Sequence, residues 1–175
     1  MMSNLIIATQ CGVWLFFMNK DLGKLLKEDQ ADRIAGGVNG DFSAFKKKDA
    51  NRKKIVKQML SNGVVVTGKD LYAAAMIFHH GQSLSDYKTA IKLSEQSIEK
   101  GYQKAPWLYA AATDRLLLKQ GKKQKFGTQF FKKSPKSKWE LSPIEKMTTD
   151  EERARFSVPP LAKLKEQINT MNKNK

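Results

Sequence analysis

Residues 67 to 81 read T-G-K-D-L-Y-A-A-A-M-I-F-H-H-G. Thr67 followed three residues later by Asp70 has the form of a capping box, in which hydroxyl and carboxylate satisfy the free amides of a helix start. An apolar run follows, Leu71 to His80, and Gly81 stops it. The same grammar recurs downstream. Ser83 or Ser85 caps a helix from Asp86 to Lys100, ended by Gly101, with Leu84, Ala90, Ile91, Leu93 and Ile98 for its buried face. Pro106 suits the first position of a third helix, whose end is marked by Lys119 and Gly121. Helices joined by such short connections pack as antiparallel neighbours.

An internal echo extends this pattern: L-Y-A-A-A occurs at 71 to 75 and again at 108 to 112. Small alanines at helix starts let one helix approach another closely, and the spacing resembles one and a half tetratricopeptide-like units, a helical repeat. Upstream, residues 19 to 35 read as a polar helix with Leu22, Leu25, Leu26 and Ile34 on its apolar side, broken by G-G-V-N-G at 36 to 40. A basic helix follows from Asp41 or Asp49 to Ser61, carrying Ile55, Val56, Met59 and Leu60, and Asn62-Gly63 ends it. Val64 to Val66 is too short to assign as a strand. Downstream, residues 131 to 146 form a Lys, Ser and Pro loop with a short helix start at Ser142-Pro143-Ile144-Glu145. Thr148 or Thr149 caps another helix, and Pro159-Pro160 separates it from a last one over Leu161 to Met171. The expectation is an all-α single domain of short antiparallel helix pairs, with an apolar N-terminal helix and a basic C-terminal extension. Its divisions are 1–35 for the apolar and polar helices, 36–48 for a linker, 49–172 for the helical domain and 173–175 for a tail.

The 175 residues suffice for one hydrophobic core, and the single cysteine, Cys11, forms no internal disulfide. Two His and one Cys are too few for a four-ligand structural zinc site, and no metal or cofactor is implied. The net charge of +15 is concentrated in two places. Residues 46 to 57 hold seven bases and one acid, including Lys46, Lys47, Lys48, Arg52, Lys53 and Lys54. Residues 119 to 138 hold eight lysines and no acid, including Lys122, Lys123, Lys125, Lys132 and Lys133. Such patches attract an acidic protein, nucleic acid or an anionic membrane face, although lysines also serve simply to solvate a surface.

Leu5 to Met18 is the most apolar stretch, yet its fourteen residues fall short of the ~20 that span a bilayer. Its M-M-S-N start lacks the basic region of a secretory signal. Three readings stand for it: a buried first helix, a helix docked on a partner, and an interfacial anchor followed by Lys20, Lys24 and Lys27. Together these favour an intracellular protein, with peripheral membrane association as the alternative.

The candidate site lies in residues 106 to 130, P-W-L-Y-A-A-A-T-D-R-L-L-L-K-Q-G-K-K-Q-K-F-G-T-Q-F. Trp107, Ala111, Asp114 and Leu118 share one helix face, which turns Asp114 toward the interior with Trp107. A buried carboxylate needs partners: it either binds loop amides or orients an imidazole. Arg115 has the fork that holds a carboxylate or phosphate, and otherwise joins a surface pair. His79 and His80 end their helix, where an imidazole serves as a base or simply answers the helix dipole. Gly127 permits a backbone shape closed to other residues, and Gln124, Thr128 and Gln129 both donate and accept. Phe126, Phe130, Phe131 and Trp139 interleave with the lysines, either as stacking surfaces for single-stranded nucleic acid or as anchors pinning the loop.

Residues 49 to 165 resemble an uncharacterised helical family, a domain of unknown function. The resemblance rests on D-x-x-R at Asp49 and Arg52, T-x-x-D at Thr67 and Asp70, H-G at His80 and Gly81, Trp107 with Asp114 and Arg115, and G-x-x-Q-x-F-G-T-Q from Gly121 to Gln129. It implies a helical fold and brings no activity with it. The leading expectation is a non-catalytic binding or assembly module with a polar pocket and a basic surface for an acidic partner or larger assembly. The alternatives are a small hydrolase or transferase using His80 as base, Asp114 as its orienter and Arg115 as anchor, and a nucleic-acid-binding protein.

Overall fold

The computed structural model describes residues 18–39, 45–134 and 136–173. Its elements, in order, are α1 (Lys20–Asn39), α2 (Phe45–Ser61), α3 (Gly68–His79), α4 (Leu84–Glu99), α5 (Ala105–Lys119), β1 (Phe130–Phe131), β2 (Glu140–Leu141), α6 (Asp150–Arg155) and α7 (Leu161–Lys173). The fold is all-α apart from one short hairpin, in which Phe130 pairs with Leu141 and Phe131 with Glu140.

Helix α3 is the centre of the molecule. From Leu71 to His79 only Tyr72 escapes full burial, and α1, α2, α4 and α5 all pack against α3. A helix apolar on every side is one that other helices surround. Leu22 of α1, Val56 of α2, Ala90 and Leu93 of α4, and Leu108 and Ala112 of α5 complete this core. The two L-Y-A-A-A strings therefore open helices that both pack on α4, with each of their alanines fully buried. A second cluster, Ala110, Phe126, Val158 and Leu164, joins α5 to the C-terminal segment.

The caps form as the residues dictate. Thr67 and Asp70 make a reciprocal capping box at α3, and Ser83 and Asp86 make another at α4. Asp70 also accepts the Asn19 amide at 2.7 Å, which ties the start of α1 to the start of α3. Gly81 follows the end of α3 as expected and has a second part. A Cβ on it would lie 2.5 Å from the Asp86 carboxylate, so the turn between α3 and α4 closes only over a bare backbone.

Several boundaries differ from expectation. No break falls at 36, because α1 continues to Asn39, and α2 is already helical at Phe45, inside the expected 36–48 linker. Ile34, Leu84 and Trp107 are exposed at 74%, 41% and 40% rather than buried. In α1 the inward positions near Ile34 go to Asp29 and Arg33 instead, so the buried face of that helix turns from apolar to ionic as it runs. On α5 the alanines and Asp114 face inward and leave Trp107 at the rim. Ser142 to Glu145 starts no helix, since Ile144 bridges to Gln124 in extended form. The apolar stretch from Leu5 lies outside the described residues save for Met18, and so does the tail beyond Lys173. Among the described residues no helix is long and apolar enough to cross a membrane.

The turn geometry makes a direct prediction. Gly63 has φ +68° with open space around it, so Gly63→Ala should cost about 1 kcal/mol of backbone strain. Gly81→Ala must displace a carboxylate held by the Ser83 and Gln82 amides, and urea denaturation should show it roughly 1–3 kcal/mol less stable than Gly63→Ala. Equal stabilities would show that the α3–α4 turn does not depend on this close approach.

Candidate functional site

Asp114 has no solvent exposure, and its partners are the loop. Its Oδ1 accepts the amides of Lys125 at 2.7 Å and Phe126 at 2.8 Å. Its Oδ2 accepts the Thr128 amide at 2.9 Å and the Thr128 hydroxyl at 2.8 Å. Four donors aimed at one buried carboxylate compensate its desolvation and fold the loop onto α5. The other loop residues serve the same end. Gln124, also without exposure, donates to the carbonyls of Gln129 and Ser142 and accepts the Gln129 amide. Gly127 has φ +92°, and a Cβ there would lie 2.9 Å from Leu164 Cδ1. Arg153, 2% exposed, donates to the carbonyls of Phe126 and Thr148 and fastens the loop to α6, a role the sequence did not signal.

Asp114 is therefore engaged with the loop and does not orient His80. The carboxylate at His80 is Asp29, whose Oδ2 lies 2.6 Å from His80 Nδ1. Asp29 is 1% exposed and sits in an ionic network that joins α1, α2 and α3. Arg33 pairs with Asp29 at 3.4 Å and with Asp49 at 2.6 Å. Arg52 pairs with Asp49 at 3.2 Å and also with Asp32. Burial works against the charge of Arg52, yet Asp32, Asp29 and Asp49 together raise its pKa above the usual guanidinium value. Asp29, Asp32 and Arg33 were not singled out in the sequence. The signal was there: Asp29 and Arg33 at i, i+4 facing Asp49 and Arg52 at i, i+3.

The loop lock and the ionic network meet at Arg115. Gln129 Nε2 donates to the Thr128 hydroxyl at 2.9 Å, and Gln129 Oε1 accepts Arg115 Nε at 3.1 Å. Arg115 Nη1 then donates to the His79 carbonyl at 3.2 Å. No carboxylate lies within ion-pair distance of Arg115 among the described residues. Burial, with the neighbouring Arg33 charge, lowers its pKa, while Tyr87 beside it works the other way. His79 is 3% exposed, and its ring centroid is 5.4 Å from that of His80. Burial, reinforced by the charges of Arg115, His80 and Arg33, holds the His79 ring well below the usual imidazole range. His79 Nδ1 and Arg33 Nε are both buried without a hydrogen-bond partner.

The basic stretches are less free than their composition suggests. Lys48 pairs with Asp32, Lys53 with Asp86, Lys125 with Glu152 and Lys133 with Glu140, while Arg52 belongs to the buried network. Lys132 lies over the Trp139 ring, 4.6 Å from its centroid. Lys46, Lys47, Lys54, Lys122 and Lys123 remain exposed. Phe126 is buried and Phe130 packs beside it, so these aromatics anchor the loop. Among the described residues no group of acids, His and Cys could hold a metal ion. Comparison with family models, with curated proteins and with solved structures finds no match.

Protonating His79 would place a further charge beside Arg115, Arg33 and His80. Its proton affinity in the fold lies below that of the unfolded chain, so its contribution to stability is complete above about pH 6.5 and is lost as pH falls below that. Urea denaturation should show unfolding free energy declining from about pH 7 to pH 5. His79→Gln should flatten that decline, and an unchanged slope would contradict the assignment.

Proposed function

We propose that the chain is a helical binding module whose recognition site is the junction of Arg115, His79 and Arg33, with a basic face on α2 for an acidic partner. The observation that carries this reading is Arg115 itself: a half-buried guanidinium held by a carbonyl, an amide oxygen and the Tyr87 hydroxyl, with no carboxylate within ion-pair distance among the described residues. A partly buried charge without an opposite partner is held against its desolvation, and groups so perturbed cluster at functional sites. The exposed Lys46, Lys47 and Lys54 supply the charge that would steer an acidic partner toward α2. The positions behind the resemblance to an uncharacterised helical family supply the scaffold of this junction: Asp49 with Arg52, His80 with Gly81, Asp114 with Arg115, and the loop from Gly121 to Gln129.

A thermal-shift screen of small organic compounds and acidic peptides tests the reading. Compounds that recognise the junction should stabilise the wild type and lose their effect in Arg115→Met, while keeping it in a Lys46→Glu, Lys47→Glu, Lys54→Glu triple variant. Acidic peptides that use the α2 face should show the reverse pattern. A screen in which neither variant changes any response would sink the proposal.

A second reading, a small hydrolase or transferase, draws on the 2.6 Å contact between His80 and Asp29. A carboxylate at Nδ1 fixes the tautomer and leaves Nε2 as the base, with Asp29 in the place expected for Asp114. Turnover of an ester or phosphoester panel that falls at least tenfold in both His80→Gln and Asp29→Asn would favour it over the binding module. Nucleic-acid binding draws least support, because Lys48, Arg52, Lys53, Lys125 and Lys133 each have an acid partner.

A further inference from the structure

Around the His79 ring the hydrogen-bond acceptors are engaged and several donors are not. Asp29 serves His80, Arg33 and Gln30 through its two oxygens. Asp49 serves Arg33 and Arg52. The oxygens that hold Arg115 belong to Gln129, to the His79 carbonyl and to the Tyr87 hydroxyl beside it, and each already accepts from it. The Arg33 Nε–H is a buried donor without a partner, His79 Nδ1 is buried without a partner and donates or accepts by its tautomer, and Arg115 has no carboxylate within ion-pair distance among the described residues. His79 is only 3% exposed, so nothing larger than a small group could reach its ring.

These facts select a class of ligand. A cation would meet Arg33 and Arg115, whose charges already oppose one another. A neutral donor would find the carboxylates already engaged with cations and would leave the Arg33 and Arg115 charges unanswered. A group with several acceptor oxygens and negative charge meets every demand: it accepts from Arg33 Nε and from Arg115, and it relieves their mutual repulsion. The neutral His79 ring adds a third donor to such a group when its proton sits on Nδ1, the tautomer that an oxyanion at this place would select.

Building on the binding-module reading, we infer that the junction of Arg33, His79 and Arg115 is an oxyanion site that takes a carboxylate or phosphate group of the ligand. The loop from Gln124 to Gln129 positions this site and does not touch the ligand. Gln129 sets the Arg115 fork from one side, and Asp114 holds Gln129 in place through Thr128.

The test uses the full chain, with inorganic phosphate and acetate as separate probes and chloride at equal ionic strength as the control. The side-chain Nε–H resonances of Arg33 and Arg115 should shift together and saturate with one dissociation constant for at least one oxyanion. The two probes separate a tetrahedral from a planar preference. Arg115→Met should weaken that constant at least tenfold, while a Lys122→Ala, Lys123→Ala variant should leave it unchanged. Arg115→Lys, which keeps the charge and loses the fork, guards against a folding defect and should weaken binding by a smaller factor. Shifts of equal size in chloride, shifts that survive Arg115→Met, or no shift in either probe overturn the inference. Should neither oxyanion move these resonances while screen hits still do, the oxyanion class is wrong and the binding module stands. Should nothing move them, both fall.

Discussion

A buried carboxylate with four donors organises this molecule. Asp114 lies on a helix that contributes mostly alanine to its neighbours, and it draws the amides of residues 125, 126 and 128 onto that helix. Without it the loop would have to satisfy those amides elsewhere, and Phe126 would lose the position from which it fills the second core. The bond from Gln129 to Arg115 follows from the same closure. A structural lock thus has a chemical product: a half-buried arginine whose fork is fixed by Gln129 and the His79 carbonyl.

The second polar system reaches the same point from the opposite direction. Asp29, Arg33, Asp49 and Arg52 link α1, α2 and the end of α3 through a network that would be costly to break at any member. It orients His80, and through Arg33 it brings a second guanidinium within range of Arg115. Three helices and a loop therefore converge on two adjacent imidazoles in different electrostatic settings. His80 faces a carboxylate, whereas His79 faces cations and stays neutral. Such asymmetry between neighbouring groups of one type is how proteins assign them separate tasks.

The fold was legible where backbone chemistry is local. Thr67 with Asp70, Ser83 with Asp86, Pro106 and the glycines at 63, 101 and 121 announce their caps and turns within a few residues, and the helices between them follow. Side chains whose fate depends on distant partners were harder to place. Ile34, Leu84 and Trp107 keep the right spacing for burial, but the inward positions beside them are taken by ionic groups or alanines. The glycines at 36 and 37 read as a break because propensity is a weak guide against a continuing helix. The site was half legible. Its loop, with Asp114 and Arg115, stood out by composition, whereas Asp29 and Arg33 looked like ordinary charges on a polar helix. Only the third dimension brings Asp29 to His80, fifty-one residues along the chain.

Asp114 closes the loop as a unit and thereby sets Arg115. Amide hydrogen exchange tests it most directly, read together with the Arg115 side-chain resonance. In the wild type the amides of Lys125, Phe126 and Thr128 should exchange with one common opening free energy. Asp114→Asn should accelerate all of them together and shift the Arg115 Nε–H resonance as the Gln129 contact is lost. Independent exchange of the three amides in the wild type, or an Arg115 resonance unmoved by the substitution, would contradict it.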